Sequence, residues 1–168
     1  MKSFLHKLAI FAITALTCAA IQAQEKGDMA AGAHLVLATG NSLGNSYTNF
    51  GIGTKFQYNI FKPVRLEGLF SYFPEKDFVS MWDVSANGHY LIPVADQVMV
   101  YPLGGMGIFG TKTDHGSKSY SSRDICINLG IGVDYQLNDH LVFYIELKSK
   151  IVKDWNRLML SAGLAYRF

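Results

Sequence analysis

Apolar and polar side chains alternate one by one along most of the chain. Residues 48–59 show this most clearly, with Phe50, Ile52 and Phe56 on one face and Lys55 on the other. Successive side chains of a β-strand point to opposite faces, so this segment is predicted to be a two-faced strand. The same alternation returns in five further segments, at residues 64–72, 82–90, 127–136, 141–148 and 157–168.

Two further segments have strand-like composition but no clear pair of faces. Residues 31–39 are apolar on both faces apart from His34, and residues 98–110 are rich in glycine and contain Pro102. A proline removes a hydrogen bond from the strand ladder, so a bulge or a register change is expected there. The total is eight strands with no helical period between them. This predicts an all-β, antiparallel, up-and-down β-barrel of eight strands, which leaves no exposed sheet edge.

The connections between the predicted strands alternate in length. The first, third, fifth and seventh are the longer ones, at residues 40–47, 74–81, 111–124 and 151–155. The other three have about four residues each, at residues 60–63, 93–96 and 137–140. Long loops at one end and tight turns at the other are typical of outer-membrane barrels. Since both chain ends fall beside the short turns, the long loops are expected to be extracellular.

The distribution of charge indicates which face of the sheet meets lipid. The six clear apolar faces carry no charge, and the polar faces carry too few charges for a solvated exterior. Small residues such as Gly51, Gly130 and Gly163 on the polar faces suit a narrow lumen. Aromatic residues such as Tyr58 and Trp82 lie near the ends of the apolar faces, where interfacial girdles form. We therefore expect a transmembrane barrel with a polar lumen. The alternative is a soluble secreted ligand-binding barrel with the two faces inverted.

The first residues are predicted to be a targeting signal. Lys2 and Lys7 precede an apolar run at residues 8–20, which is too short to span a membrane as a helix, and cleavage is expected after Ala23. A lipoprotein signal that uses Cys18 is the less favoured alternative. Loss of residues 1–23 leaves a barrel domain at residues 24–168 with 13 basic and 13 acidic residues, because both lysines of the segment leave. Cys126 then has no partner within the chain.

The last strand carries a recognisable ending. Residues 158–168 alternate apolar residues and finish on Tyr166 and Phe168. This resembles the C-terminal signature that the barrel assembly machinery recognises. Residues 25–168 as a whole resemble the small outer-membrane β-barrel proteins of the OmpA transmembrane-domain and OmpX type, in the porin-family form common in Bacteroidetes. The resemblance implies a monomeric integral protein of the cell outer membrane, with a structural or surface-interaction role. Its partners would be outer-membrane lipid, lipopolysaccharide and the assembly machinery.

Charged and polar residues on the predicted inner faces form the first candidate site. They are Lys55, Arg65, Glu67, Asp83, His89, Asp134, Glu146, Lys148, Arg157 and Arg167. An eight-stranded barrel is just filled by its own side chains, and buried charges must be paired. We therefore expect acid–base pairs that plug the lumen. A narrow pore for small solutes is the alternative.

Other functions find little support in the sequence. A formal charge of +2 with no basic run argues against nucleic-acid binding. Ser85 and His89 share a face but are about 13 Å apart along a strand, too far for a nucleophile and its base. His34, His115 and His140 are scattered, and with one mature cysteine they form no metal-binding motif. We expect no enzyme activity, no metal and no cofactor.

The longest predicted loop, residues 111–124, is the second candidate site. Lys112, Lys118, Tyr120 and Arg123 could contact lipopolysaccharide phosphates or an extracellular partner. The alternative is a solvated hairpin tip with no binding role.

Overall fold

The computed structural model describes residues 26–42, 45–76, 78–115, 118–152 and 155–168. The predicted signal peptide at residues 1–23, and with it the start of the barrel domain at residue 24, lies outside the described residues and stays a prediction. Among the described residues there is no helix long and apolar enough to cross a membrane.

The described chain consists of antiparallel strands joined by short connections. Nine strands are present, and they are β1 (Met29–Ser42), β2 (Asn45–Phe61), β3 (Val64–Lys76), β4 (Val79–Tyr90), β5 (Ile92–Ala95), β6 (Val98–His115), β7 (Lys118–Gln136), β8 (Leu141–Val152) and β9 (Trp155–Arg167). Chain neighbours pair in sequence except β4 and β5, β1 also pairs with β9, and β4 also pairs with β6. These last two pairings close a ring of eight strands, with β5 as a short continuation of β4. The predicted all-β, eight-stranded antiparallel barrel is therefore confirmed.

The strand that contains Pro102 is regular on one side and interrupted on the other. Pro102 pairs with Ile131 in a β6–β7 ladder that shows no register shift. On the opposite side of β6, the ladder passes from β4 to β5 and omits Tyr90 and Leu91. A proline has no amide hydrogen to donate, so it is tolerated where the neighbouring strand breaks. The expected register change at Pro102 is wrong, because the break falls in the partner strand instead.

The segments predicted as long loops are for the most part paired strand. In the longest of them, β6 continues to His115 and β7 starts at Lys118, so residues 111–124 belong to one β-hairpin. The β1–β2, β3–β4 and β8–β9 hairpins likewise extend through the other predicted loops. Thr and Tyr are good strand formers, and pairing satisfies the backbone groups of these segments. We call the end of the barrel with these four hairpins the hairpin end.

The other end of the barrel holds the short turns and both described ends of the chain. The amide of Phe168 donates to the carbonyl of Met29 (3.1 Å). We call this the turn end.

The apolar side chains point away from the barrel axis. Phe56, Leu129, Ile145 and Leu164 are 44–52% exposed on the outer surface. This excludes the inverted, soluble barrel, in which these side chains would meet in a dry centre.

The structure also assigns the faces of the two strands that the sequence leaves open. In β1, His34 and Val36 point inward, whereas Leu35 points outward. In β6, Tyr101 points inward and Met106 outward.

Candidate functional site

Most of the predicted lumen residues lie together inside the barrel. Nine of the ten are at most 5% exposed, namely Lys55, Arg65, Glu67, Asp83, His89, Asp134, Glu146, Lys148 and Arg157. The tenth, Arg167, is only partly buried at the turn end. Strict alternation along each strand places them there, because every one shares a face with the small and polar residues of its strand.

A three-strand ion cluster occupies the middle of the lumen. The Lys55 ammonium of β2 donates to Glu67 Oε2 in β3 (2.8 Å) and to the Glu146 carboxylate in β8. Lys148 Nζ lies 3.0 Å from Glu146 Oε2, and the Tyr101 hydroxyl donates to Glu146 Oε1 (2.9 Å). Each carboxylate thus meets at least one ammonium, which offsets the cost of burying its charge.

Neutral side chains complete the coordination of Glu67. Gln57 Nε2 donates to its Oε2 (3.2 Å) and Asn87 Nδ2 donates to its Oε1 (2.9 Å). Asn128 Nδ2 in turn donates to Asn87 Oδ1 (2.9 Å). Hydrogen bonds from amides add to the ammonium contact, so the Glu67 charge is bound from several strands.

A second ion pair lies nearer the turn end. Arg65 Nη1 donates to Asp134 Oδ2 (2.6 Å), and Arg65 Nε donates to His89 Nδ1 (3.2 Å). The His89 ring stacks on Tyr101 with ring centroids 4.7 Å apart. Since Nδ1 of His89 accepts, its ring proton belongs on Nε2, which lies 3.6 Å from Glu67 Oε1. His89 therefore lies between the Arg65–Asp134 pair and the central cluster, with its Nε2 beyond hydrogen-bond distance of Glu67.

A third ion pair, at the hairpin end of the lumen, contains a residue that the sequence analysis missed. Lys150 of β8 is 2% exposed and donates to Asp83 Oδ1 (2.8 Å). Lys150 also lies 3.2 Å from Ser85 Oγ and 3.3 Å from Cys126 Sγ. The alternation along the strand could have predicted it, because Lys150 shares a face with Glu146 and Lys148. The strand was predicted to end at residue 148, two residues too early to include Lys150.

Arg157 differs from the other buried cations in its surroundings. Its Nη2 lies 3.0 Å from Met81 Sδ, and its guanidinium carbon lies 5.0 Å from the Phe109 ring centroid.

An apolar cluster fills the lumen at the hairpin end. Its members are Val36, Ala38, Phe73, Met81, Phe109, Cys126, Val152 and Met159, all at most 5% exposed. They come from seven of the eight strands of the ring. The eighth strand, β2, contributes Gly51, where an added Cβ would lie 2.6 Å from the Phe73 ring. The sequence analysis missed this cluster because it treated the inner faces as polar throughout.

The ligand chemistry of the lumen favours an ammonium over a metal ion. Glu67, His89 and Glu146 could each offer an atom within 4.8 Å of the others, the one such group among the described residues. The Lys55 ammonium already bonds to both carboxylates. It supplies the positive charge that a cation would otherwise bring.

One buried histidine–serine pair has the hydrogen-bond contact of a catalytic base and its nucleophile. His34 Nε2 lies 3.0 Å from Ser71 Oγ. A catalytic dyad of this kind needs a third group to orient the base. Nδ1 of His34 has no hydrogen-bond partner in the described part of the chain. Ser85 and His89, which the sequence predicts to be too far apart for a catalytic pair, have different partners: Ser85 donates to Asp83 and His89 accepts from Arg65.

The residues of the second candidate site lie on the β6–β7 hairpin. Lys112, Tyr120 and Arg123 are exposed, and the Arg123 guanidinium lies 6.0 Å from the centre of the Trp82 ring. The side chain of Lys118 lies outside the described residues.

The two aromatic residues of the predicted assembly signal are exposed at the turn end. Tyr166 is 51% and Phe168 is 61% exposed, with ring centroids 6.1 Å apart.

The closed ring, the outward apolar faces and the buried charges together define an outer-membrane β-barrel. A family model described as outer membrane protein beta-barrel domain matches residues 8–168. The chain belongs to this family. Its location is the outer membrane, as the sequence predicted.

Solved structures share the fold at low sequence identity. The Neisserial surface protein A structure has a TM-score of 0.75 and 16% identity, covering 85% of this chain and 100% of its own. The Ail attachment invasion locus protein of Yersinia pestis has a TM-score of 0.65 and 16% identity, covering 85% and 99%. The N-terminal β-barrel domain of Pseudomonas aeruginosa OprF has a TM-score of 0.66 and 14% identity, covering 86% and 100%. No curated protein sequence matches the chain significantly.

Proposed function

We propose that the protein is a closed, monomeric barrel that serves the outer membrane as a structural and surface-interaction protein rather than as a pore. The observation that carries this is the apolar cluster at the hairpin end, because it draws side chains from nearly the whole ring. Phe73 and Phe109 within it are 0% exposed. A dry apolar constriction excludes water and ions.

The ion pairs support the same conclusion. Lys55 binds both Glu67 and Glu146 across the lumen, so these charges do not line an open channel. An ion that followed this path would have to separate buried pairs, which costs several kcal/mol for each charge left without its partner.

We also propose that the hairpin end faces the outside of the cell. In barrels of this type the short turns are periplasmic and the longer connections extracellular. The hairpins would then present Tyr120, Arg123 and Lys112 at the cell surface, while Tyr166 and Phe168 would meet the barrel assembly machinery from the periplasmic side.

Planar-bilayer recording tests the closed state. We expect no steady conductance from the wild-type protein. The double change Phe73→Ala and Phe109→Ala, which removes two rings from the apolar cluster, should produce measurable current and shows that the recording can detect an open lumen. Steady wild-type current that changes with Glu146→Gln would instead establish the narrow pore.

We further propose that the barrel has no enzyme activity, because the His34–Ser71 pair lacks an orienting acid. The mass spectrum of lipid A should be unchanged when the protein is overproduced. A new lipid A species that disappears in Ser71→Ala would identify a lipid A enzyme.

A further inference from the structure

The turn end of the lumen contains a small cavity beside a buried guanidinium. The cavity has a volume of about 10 Å³, and its lining includes Arg167 of β9, Val142 of β8, Asp134 of β7 and residues of the β5–β6 turn. A cavity of this volume is about the smallest that holds one water molecule. Charged side chains line it, in contrast to the apolar cluster that fills the hairpin end of the lumen.

The backbone of Arg167 is held on both sides, which directs its side chain into the lumen. Its amide donates to the carbonyl of His140 (2.7 Å), and its carbonyl lies 3.1 Å from His140 Nδ1. On the other side, Arg167 pairs with Ala30 of β1. Since Tyr166 and Phe168 are exposed on the outer surface, alternation places the Arg167 side chain on the inner face.

Two donors of the Arg167 guanidinium have no acceptor in the described part of the chain. They are Nε and Nη2, and both atoms are buried. These two nitrogens form one edge of the planar guanidinium and point the same way, so a single acceptor can serve both. A buried, charged donor without an acceptor is strongly unfavourable. This edge of Arg167 therefore needs an acceptor from outside the chain.

The other charge in the cavity lining indicates which acceptor fits. Asp134 accepts from Arg65 through Oδ2 and brings a negative charge to the cavity wall. A small anion would meet this charge and a cation would meet the guanidinium. A water molecule can accept from Arg167 and also donate to Asp134. A buried water makes about three hydrogen bonds, which the guanidinium edge and one carboxylate oxygen provide.

We propose that the cavity is a binding site for one water molecule, which accepts from Nε and Nη2 of Arg167 and donates to the Asp134 carboxylate. Asp134 then serves two arginines, Arg65 directly and Arg167 through the water. The bound water thus links β9 to β7 and, through the Arg65–Asp134 pair, to β3. The proposal is independent of the closed lumen proposed above, because a conducting barrel could hold the same water.

Nuclear magnetic resonance of the folded full-length barrel in detergent micelles tests the site directly. The chain has four arginines, so isotope labelling of arginine nitrogen gives four Nε–H signals, and Arg167→Gln identifies the signal that it deletes. We expect cross-relaxation between Arg167 Nε–H and a water molecule of long residence time. Hydrogen exchange at this group should be at least about tenfold slower than at the exposed Arg123, because it requires local opening.

The role of Asp134 is tested through the same Arg167 signal. In Asp134→Asn the water loses its charged acceptor, and hydrogen exchange at Arg167 Nε–H should become about tenfold faster. Gel mobility before and after boiling verifies that this variant is folded. An unchanged exchange rate would place the acceptor of the water elsewhere and overturn the assignment of Asp134.

Two matched variants show whether the cavity holds a water molecule. Val142→Ile adds one carbon atom to a lining residue that is 5% exposed, and Val133→Ile makes the same change on the outer surface, where the residue is 41% exposed. We expect Val142→Ile to abolish the water contact of Arg167 and to lower the melting temperature, because the added carbon displaces the water from its charged partners. Val133→Ile should change neither.

Three further results would overturn the proposal. The first is a wild-type Arg167 Nε–H signal without a water contact. The second is a saturable shift of that signal when chloride replaces gluconate at constant ionic strength, which would identify an anion site. The third is a Val142→Ile barrel at least as stable as the wild type, as expected for a dry cavity. None of these results bears on the bilayer recordings, so the two proposals fail separately.

Discussion

Arg65 of β3 and Asp134 of β7 meet inside the barrel with Nη1 and Oδ2 2.6 Å apart, although the two strands are not neighbours in the ring. Both residues are nearly inaccessible, at 1% and 3% exposure. The pair therefore connects two walls of the lumen, and its consequences for stability can be tested directly.

Removing one partner of this pair should destabilise the barrel strongly. We expect Asp134→Ala to lower the free energy of unfolding by about 3–5 kcal/mol, because the Arg65 charge stays buried without its carboxylate. The double change Arg65→Met and Asp134→Leu should recover much of this loss, since it leaves no unpaired charge. The free energy of unfolding of both variants is measured by urea titration in micelles, with gel mobility as the readout. An Asp134→Ala variant as stable as the wild type would falsify the paired arrangement.

Glu146 should be similarly sensitive, because its carboxylate contacts two ammonium groups and one hydroxyl. Glu146→Ala leaves Lys148 and the Tyr101 hydroxyl without their observed carboxylate partner, and we expect a loss of several kcal/mol. Glu75→Ala removes an exposed carboxylate near the hairpin end and should change stability by less than about 0.5 kcal/mol. Thermal unfolding of the two variants provides the comparison. Equal melting temperatures would reject a stabilising role for the central cluster.

Two glycines should differ in their sensitivity to the addition of one methyl group. A Cβ at Gly132 would lie 2.4 Å from the Tyr101 ring, which is 0% exposed and stacked on His89. Gly132→Ala should therefore cost about 1–3 kcal/mol through overpacking. A Cβ at Gly68 would meet nothing within 4 Å, so Gly68→Ala should be close to neutral. Chemical unfolding measures both, and equal effects would show that the lumen can repack around Tyr101.

The aromatic ending should affect assembly rather than the stability of the finished barrel. We expect Phe168→Ala to reduce the amount of heat-modifiable protein in the outer-membrane fraction, because the assembly machinery would lose an exposed aromatic side chain. Phe61→Ala removes an aromatic residue of similar exposure (53%) and serves as the matched control. The prediction fails when both variants reach the membrane in equal amounts.

The inner and outer faces of most strands could be predicted because alternation is a local property. Phe56 and Lys55 lie on opposite faces in any strand that contains them. The sequence did not assign the inner and outer faces where both faces are apolar, as around Val36, or where glycine leaves one face without side chains, as around Tyr101. In these strands the lumen accepts apolar side chains too, so polarity no longer separates inside from outside.

It was easier to predict which residues belong to the candidate site than to predict which of them contact one another. The pairings of Glu67 with Lys55 and of Asp134 with Arg65 join residues that the sequence placed inside, but the Asp83 partner Lys150 was missed. Arg157 contacts Met81 and Phe109, and the face it shares with its strand neighbours did not predict either contact. Partners across a lumen depend on the relative shift of all eight strands, and no local pattern records that shift.

By itself, the sequence determined the number of strands in the ring and, in six of the eight strands, which face meets lipid, because both follow from the two-residue period of a strand. Only the tertiary structure decided which charges meet, that Pro102 lies opposite a strand break, and that apolar side chains from seven strands fill one end of the lumen. These features arise when the sheet closes and brings distant strands to a common axis. They therefore depend on ring geometry that no single strand contains.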